Sequence, residues 1–202
     1  MTAQIGDSFI YGNKEYSLVA AQRMIRFHPE MYGIVPTEIS TACYRGFYCT
    51  YKIKYKKLLL HNLTVKSENG IYPEINGIKP AKVPSEARIY EMLEREYSGP
   101  YQYEPLNIHT FYTGKILLGT GFIDKYYIHM GFQRAWAYEK LIEIEFKRGR
   151  VVGVTDYSNY AEVMRKKIED NKEAFDKWER ENPHKFVVDS FSLRYEDKVW
   201  WK

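Results

Sequence analysis

The chain has 202 residues, 45% of them hydrophobic and 28% charged, with 30 basic residues against 26 acidic ones. These proportions fit one soluble domain with a substantial core. No run approaches the ~18 apolar residues of a membrane span. The net charge of +4 is too mild, and too evenly mixed along the chain, to favour nucleic acid as the partner.

The N-terminal stretch MTAQIGDSFIYG has no basic start followed by an apolar run, so no secretory signal is expected and the cytoplasm is the default location. Tyrosine is abundant, at 19 residues. Its flat ring and hydroxyl suit both sheets and wet binding surfaces.

In chain order, FIYGNKEYSLVA (Phe9–Ala20) predicts a hairpin around Gly12-Asn13. The segment FHPEMYGIVPTE is broken by Pro29, Gly33 and Pro36 and reads as a loop. Between Gly46 and Ser67 strands return. Tyr51, Ile53 and Tyr55 alternate with Lys52, Lys54 and Lys56, the pattern of a half-buried strand with a lysine-lined outer face. Such lysines suit an edge strand, and Leu58–Val65 is its expected partner.

Cys43 and Cys49 are the only cysteines, six positions apart. That spacing does not match a Cys-x-x-Cys site, so two buried thiols are expected. A loop rich in Asn, Gly and Pro leads to SEARIYEMLEREY, a short amphipathic helix capped by Ser85 and stopped at Gly99-Pro100.

Next come a strand at Lys115–Leu118, a glycine break at Gly119-x-Gly121, and a strand through Phe122–Met130. The break lacks the third glycine and the following helix of a dinucleotide site, so it reads as a bulge or tight bend. The run EKLIEIEFKRGRVVGVTD predicts a hairpin turning at Arg148-Gly149, with Ile142, Ile144 and Phe146 inward and Glu143 and Glu145 on a solvated face. Ser158–Asn182 is the strongest helix, entered through Asn159 and Glu162 as a capping box. Tyr160, Val163, Met164, Ile168, Phe175 and Trp178 form its apolar stripe. A final strand and an aromatic tail end the chain.

Strands and helices do not alternate regularly, which argues against a doubly wound parallel sheet. The expected fold is a single α+β domain over residues 1–202. It has a mostly antiparallel, curved sheet, barrel- or sandwich-like, with one short and one long helix. Residues 44–65 and 129–154 share a Gly-Phe entry and a hairpin, the outline of a diverged β-repeat, although chance is the better explanation of that similarity.

The P-loop, zincin and nucleophile-elbow motifs are absent. The histidines (His28, His61, His109, His129, His184) are scattered, and neither a metal site nor a cofactor is expected. The densest chemistry lies in YYIHMGFQRAWAYEK. Read as a strand, it places Tyr127, His129 and Gln133 on a polar face with Ala135 and Ala137, and Tyr126, Arg134 and Trp136 on a bulky face.

Tyr126, Tyr127, His129, Gln133, Arg134 and Trp136 are therefore the expected binding residues. His129, Arg134 and Tyr127 are the catalytic candidates, although a structural role outweighs either use. The function expected first is that of a non-catalytic accessory protein, such as an inhibitor or a toxin-neutralising immunity-type protein, which docks another protein through a tyrosine-rich surface. The alternative is a small enzyme or ligand-binding domain in which Arg134 holds an anionic molecule and His129 moves a proton. Nucleic-acid binding by Lys52, Lys54, Lys56 and Lys57 ranks last.

Overall fold

The computed structural model describes residues 3–25, 27–84, 99–128 and 133–182. The expected short helix near Ser85 and the final strand lie outside them.

Among the described residues ten strands form one sheet: β1 (Ser8–Tyr11), β2 (Lys14–Ala21), β3 (Phe47–Lys54), β4 (Lys57–Val65), β5 (Ala81–Lys82), β6 (Tyr101–Tyr103), β7 (Ile108–His109), β8 (Gly114–Phe122), β9 (Tyr138–Lys147) and β10 (Arg150–Asp156). Their order is β10-β9-β8-β2-β1-β3-β4-β6-β5, with β7 also on β4. Every pairing is antiparallel except β1 with β3. A further pairing of β10 with β4 brings the sheet round into a ring. The α+β single-domain expectation and the strongly curved sheet are both observed.

The ring closes where two hairpin tips touch. The β3–β4 turn places Tyr55 and Lys56 at φ 51° and 58°, and the β9–β10 turn places Arg148 and Gly149 at φ 50° and 74°. Two successive positive φ values make the tight turn whose twist matches the strands. Leu58 N donates to Gly149 O at 2.8 Å and Val151 N to Lys56 O at 2.9 Å, and Arg150 stands opposite Lys57.

Gly149 is required there. A Cβ on it would lie 2.0 Å from Thr110 O.

Inside the ring, alternate residues form the main core. Phe9, Tyr51, Leu58, Leu60, Ile116, Ile142, Ile144 and Phe146 are buried in one cluster. Fully burying an aliphatic or Phe side chain contributes about 1.5–3 kcal/mol. The outer face of β2, β8 and β9 carries a second cluster built from Val19, Leu117, Leu141 and Tyr138. It is covered by the short turn Ala135–Ala137 and by Ala161 of the first helix. Gly119 allows this packing, because a Cβ on it would sit 2.5 Å from the Tyr138 ring.

Several expectations are corrected. The strand β8 runs unbroken through Gly119 and Gly121 to Phe122, and the chain then enters a 3-10 turn at Asp124–Tyr126 instead of a new strand. β3 is not an edge, since β1 and β4 flank it. Tyr55 does not face the core but tops the turn. Glu143 is buried, not solvated, and pairs with Lys115 at 2.9 Å because the packed helix layer covers that side of the sheet.

The long helix is two: α1 (Ser158–Asp170) and α2 (Lys172–Glu181). They meet at Asn171, whose side-chain amide donates to Lys167 O instead of continuing the helix. Asp156, not an Asn159–Glu162 box, receives the first helical amide, from Ser158 at 2.8 Å.

Two predictions follow from the packing. Gly149→Ala forces both a positive φ and a backbone overlap, and should cost about 2–3 kcal/mol in urea unfolding. A loss under about 0.5 kcal/mol would contradict tight closure.

Burial pushes the Cys49 thiol and the Tyr51 phenol well above their ordinary 9.0 and 10.0, and Tyr103 up to about 12. The folded state therefore keeps protons that the unfolded chain releases above about pH 9. Stability from these groups is complete below that pH and falls as pH climbs from about 9 toward 12. Urea midpoints that stay level from pH 8 to 11 would contradict it.

Candidate functional site

The stretch with the densest chemistry does not form one alternating strand. The turns at Asp124–Tyr126 and Ala135–Ala137 replace its two ends, so the split into a polar and a bulky face does not hold for them. His129 and Gly131 lie outside the described residues.

The remaining candidates fasten this segment to itself and to the helices. Tyr126 donates its hydroxyl proton to Glu169 at 2.7 Å, and Lys125 pairs with the same carboxylate. Gln133 clasps the backbone of Ile128 with both ends of its amide, at 3.0 and 2.9 Å. Arg134 donates to Glu179 at 2.9 Å, and its guanidinium lies 5.9 Å from the centre of the Trp136 ring. Burial lowers the Arg134 pKa and the nearby Glu179 carboxylate opposes that shift.

Trp136 is buried among Met164, Ile168, Phe175 and Trp178. Arg165 adds hydrogen bonds to the carbonyls of Trp136 and Tyr138, at 3.1 and 2.7 Å. Tyr127 is the outward member, edge-on to Phe122. A ligand carboxylate at Arg134 would have to compete with Glu179.

Other chemistry-bearing groups are equally engaged. Cys43 and Cys49 are free thiols, both buried, and burial raises both pKa values. Asp7 accepts the Cys49 backbone N–H at 2.9 Å and pairs with Arg45. On the outer sheet face Glu104 accepts from Asn62 and Gln102, and stands 3.7 Å from His61. Among the described residues no group of three or more His, Cys, Asp or Glu could hold a metal ion. None of their helices is long and apolar enough to cross a membrane.

An open stretch of strand edge lies at the seam of the ring. β10 meets β4 only at Arg150 and then runs past the β3–β4 tip. From Val152 to Asp156 the edge of β10 away from β9 pairs with no strand among the described residues.

A bulge at Val152 shifts the register between Val151 and Gly153. It leaves Val152 and Val154 57% and 46% exposed. A groove of about 470 Å³ runs alongside, lined by Val152, Val154, Ile53, Tyr55, Tyr11 and Gly12 among others. Tyr55 is 84% exposed, with the Lys54 ammonium 5.1 Å from its ring centre.

Closure also gathers charge. Lys54 stands opposite Lys57, Lys57 opposite Arg150, and Arg150 opposite Lys147. Residues directly opposite share a face. Lys54 and Lys57 of the basic run YKIKYKK, with Lys147 and Arg150 of the basic run KRGR, thus form one row of four exposed cations across four strands.

Compared with protein families, with curated proteins and with solved structures, the chain shows no significant match. The seam itself escaped the sequence reading. VVGV was visible only as a return strand, and its consecutive valines beside a glycine were the one local sign of a bulged edge.

The fastening contacts make a graded prediction. Arg134 is 11% exposed in its side chain, whereas Lys125 is 61% exposed. Glu179→Ala leaves a mostly buried guanidinium short of its partner and should cost about 1–3 kcal/mol by urea unfolding. Lys125→Ala should be indistinguishable from wild type. Equal losses would contradict the buried-versus-exposed distinction.

Proposed function

We propose that the chain is a non-catalytic protein-binding module that receives an extended segment of another protein along β10. The carrying observation is the edge of β10 that pairs with no strand among the described residues, with Val152 and Val154 exposed beside a groove lined largely by Ile53, Tyr55 and valines.

A sheet edge presents unsatisfied N–H and C=O groups in register, and natural proteins normally shorten, charge or cover it. Here a bulge turns two valines outward instead. Strand addition uses such an edge directly. Backbone hydrogen bonds supply affinity, and alternate side chains, seated in a groove, supply selectivity. An inhibitor or a toxin-neutralising protein that occupies a strand of its target belongs to this class.

The contacts of Tyr126 and Arg134 support the reading. They tie their segment to Glu169 of α1 and Glu179 of α2, and Arg165 of α1 bonds the backbone of Tyr138 at the start of β9, the strand beside β10.

The test pairs capture with mapping. Wild-type chain should retain a partner from native lysate in a complex burying at least ~1,000 Å². Hydrogen exchange in that complex should slow across Val152–Asp156. The double variant Val152→Lys, Val154→Lys should keep its melting temperature and lose the partner by about tenfold or more. Retention unchanged in the double variant, or slowing confined elsewhere, would overturn the proposal.

A further inference from the structure

We infer that the row Lys54–Lys57–Arg150–Lys147 selects the partner, and that the segment docking on β10 is acidic. The inference rests on the strand-docking reading above and names the chemistry of what docks.

Like charges directly opposite on neighbouring strands destabilise a sheet. This row has three such pairings in succession, across β3, β4, β10 and β9. All four side chains are exposed. Among the described residues none of the four forms an ion pair. Lys56 and Arg148, in the two turns, add cations at either side. Exposed carboxylates on these and nearby strands are Glu15, Glu139, Glu145 and Asp156, of which Asp156 lies at the far end of β10, away from the row, near Lys140.

A chain of net charge +4 thus concentrates six cations where its ring closes. Such a patch attracts an anionic partner and repels a cationic one before contact.

Position decides between partners. The row crosses β10 at Arg150, where pairing with β4 ends and the unpaired edge begins. A strand laid along Val152–Asp156 would start beside the row, so carboxylates at its near end would meet Arg150, Lys57 and Lys54. A second copy of this chain would bring its own cations to the same place, and the mutual repulsion opposes edge-to-edge self-pairing. A nucleic acid could use the row, but it has no backbone donors and acceptors that match a strand edge, nor a use for Val152 and Val154.

The experiment uses the full chain and a fluorescein-labelled ten-residue peptide of alternating Glu and Val, read by fluorescence anisotropy at low salt. Three controls accompany it: the same peptide with Lys for Glu, the acidic peptide N-methylated on alternate residues, and a ten-nucleotide oligothymidylate.

The inference expects the acidic peptide to bind, with slowed exchange at Val152–Asp156. The lysine peptide should be silent, and affinity should fall as salt rises. Lys54→Glu with Arg150→Glu should weaken binding by about tenfold or more. Lys57→Gln should also weaken it while leaving the unfolding midpoint unchanged or raised, because it relieves repulsion in the row.

Equal binding of acidic and lysine peptides, both slowing exchange at Val152–Asp156, would overturn the acidic preference and leave strand docking standing. Undiminished binding of the N-methylated peptide would overturn strand docking itself. Tighter binding of the oligothymidylate, lost in the charge-reversed variant, would replace the protein partner with nucleic acid. Failure of the acidic peptide to bind would overturn the inference.

Discussion

Everything distinctive about this molecule depends on how its sheet closes. Two backbone hydrogen bonds, from Leu58 to Gly149 and from Val151 to Lys56, join the tips of two hairpins that are about ninety residues apart in sequence. The junction is narrow. It holds because two pairs of consecutive turn residues, Tyr55-Lys56 and Arg148-Gly149, adopt positive φ and because Gly149 slips beneath the carbonyl of Thr110. With the ring shut, Phe9, Tyr51, Ile116 and Phe146 are sealed in one interior. The same junction lines up four cations and releases β10 before it can pair further. Core, charge and open edge are three consequences of one contact.

The helices act on the other flank. α1 and α2 bury Met164, Ile168, Phe175 and Trp178 around Trp136, while Ala161 joins the outer sheet cluster. Small residues at Ala135, Ala137 and Ala161 let this layer sit close to β8 and β9, and Arg165 ties it to the backbone of Trp136 and Tyr138. Tyr126, Arg134 and Trp136 thus tie this region to the helices, while Tyr127 faces outward. β9 is held from both sides, whereas β10, beyond its junction with β4 at Arg150, pairs with β9 alone among the described residues.

Local pattern exposed much of this in the sequence, and long-range pattern did not. The hairpins at Gly12-Asn13 and Arg148-Gly149 were legible because turn chemistry is local. The apolar stripe from Met164 to Trp178 was legible for the same reason, though not the break at Asn171, where one side-chain amide redirects the helix. Tyr126–Tyr138 misled because alternation in composition resembles a strand even where 3-10 turns carry the chain. Glu143 misled because only the tertiary layer over β9 decides that a carboxylate there is buried. The seam had no local signature beyond its valines. The basic runs YKIKYKK and KRGR were each visible, but nothing short of strand register could show that Lys57 and Arg150 face one another.

The most direct test of this account is residue-resolved hydrogen exchange of the Leu58 and Val151 amides in the isolated chain. Closure predicts that both exchange only as fast as global unfolding allows, with the same dependence on denaturant as the core amides of Ile144 and Leu60. Exchange at Leu58 and Val151 near the rate of an open loop, while the core amides remain protected, would mean an open sheet, a dispersed cation row and no seam.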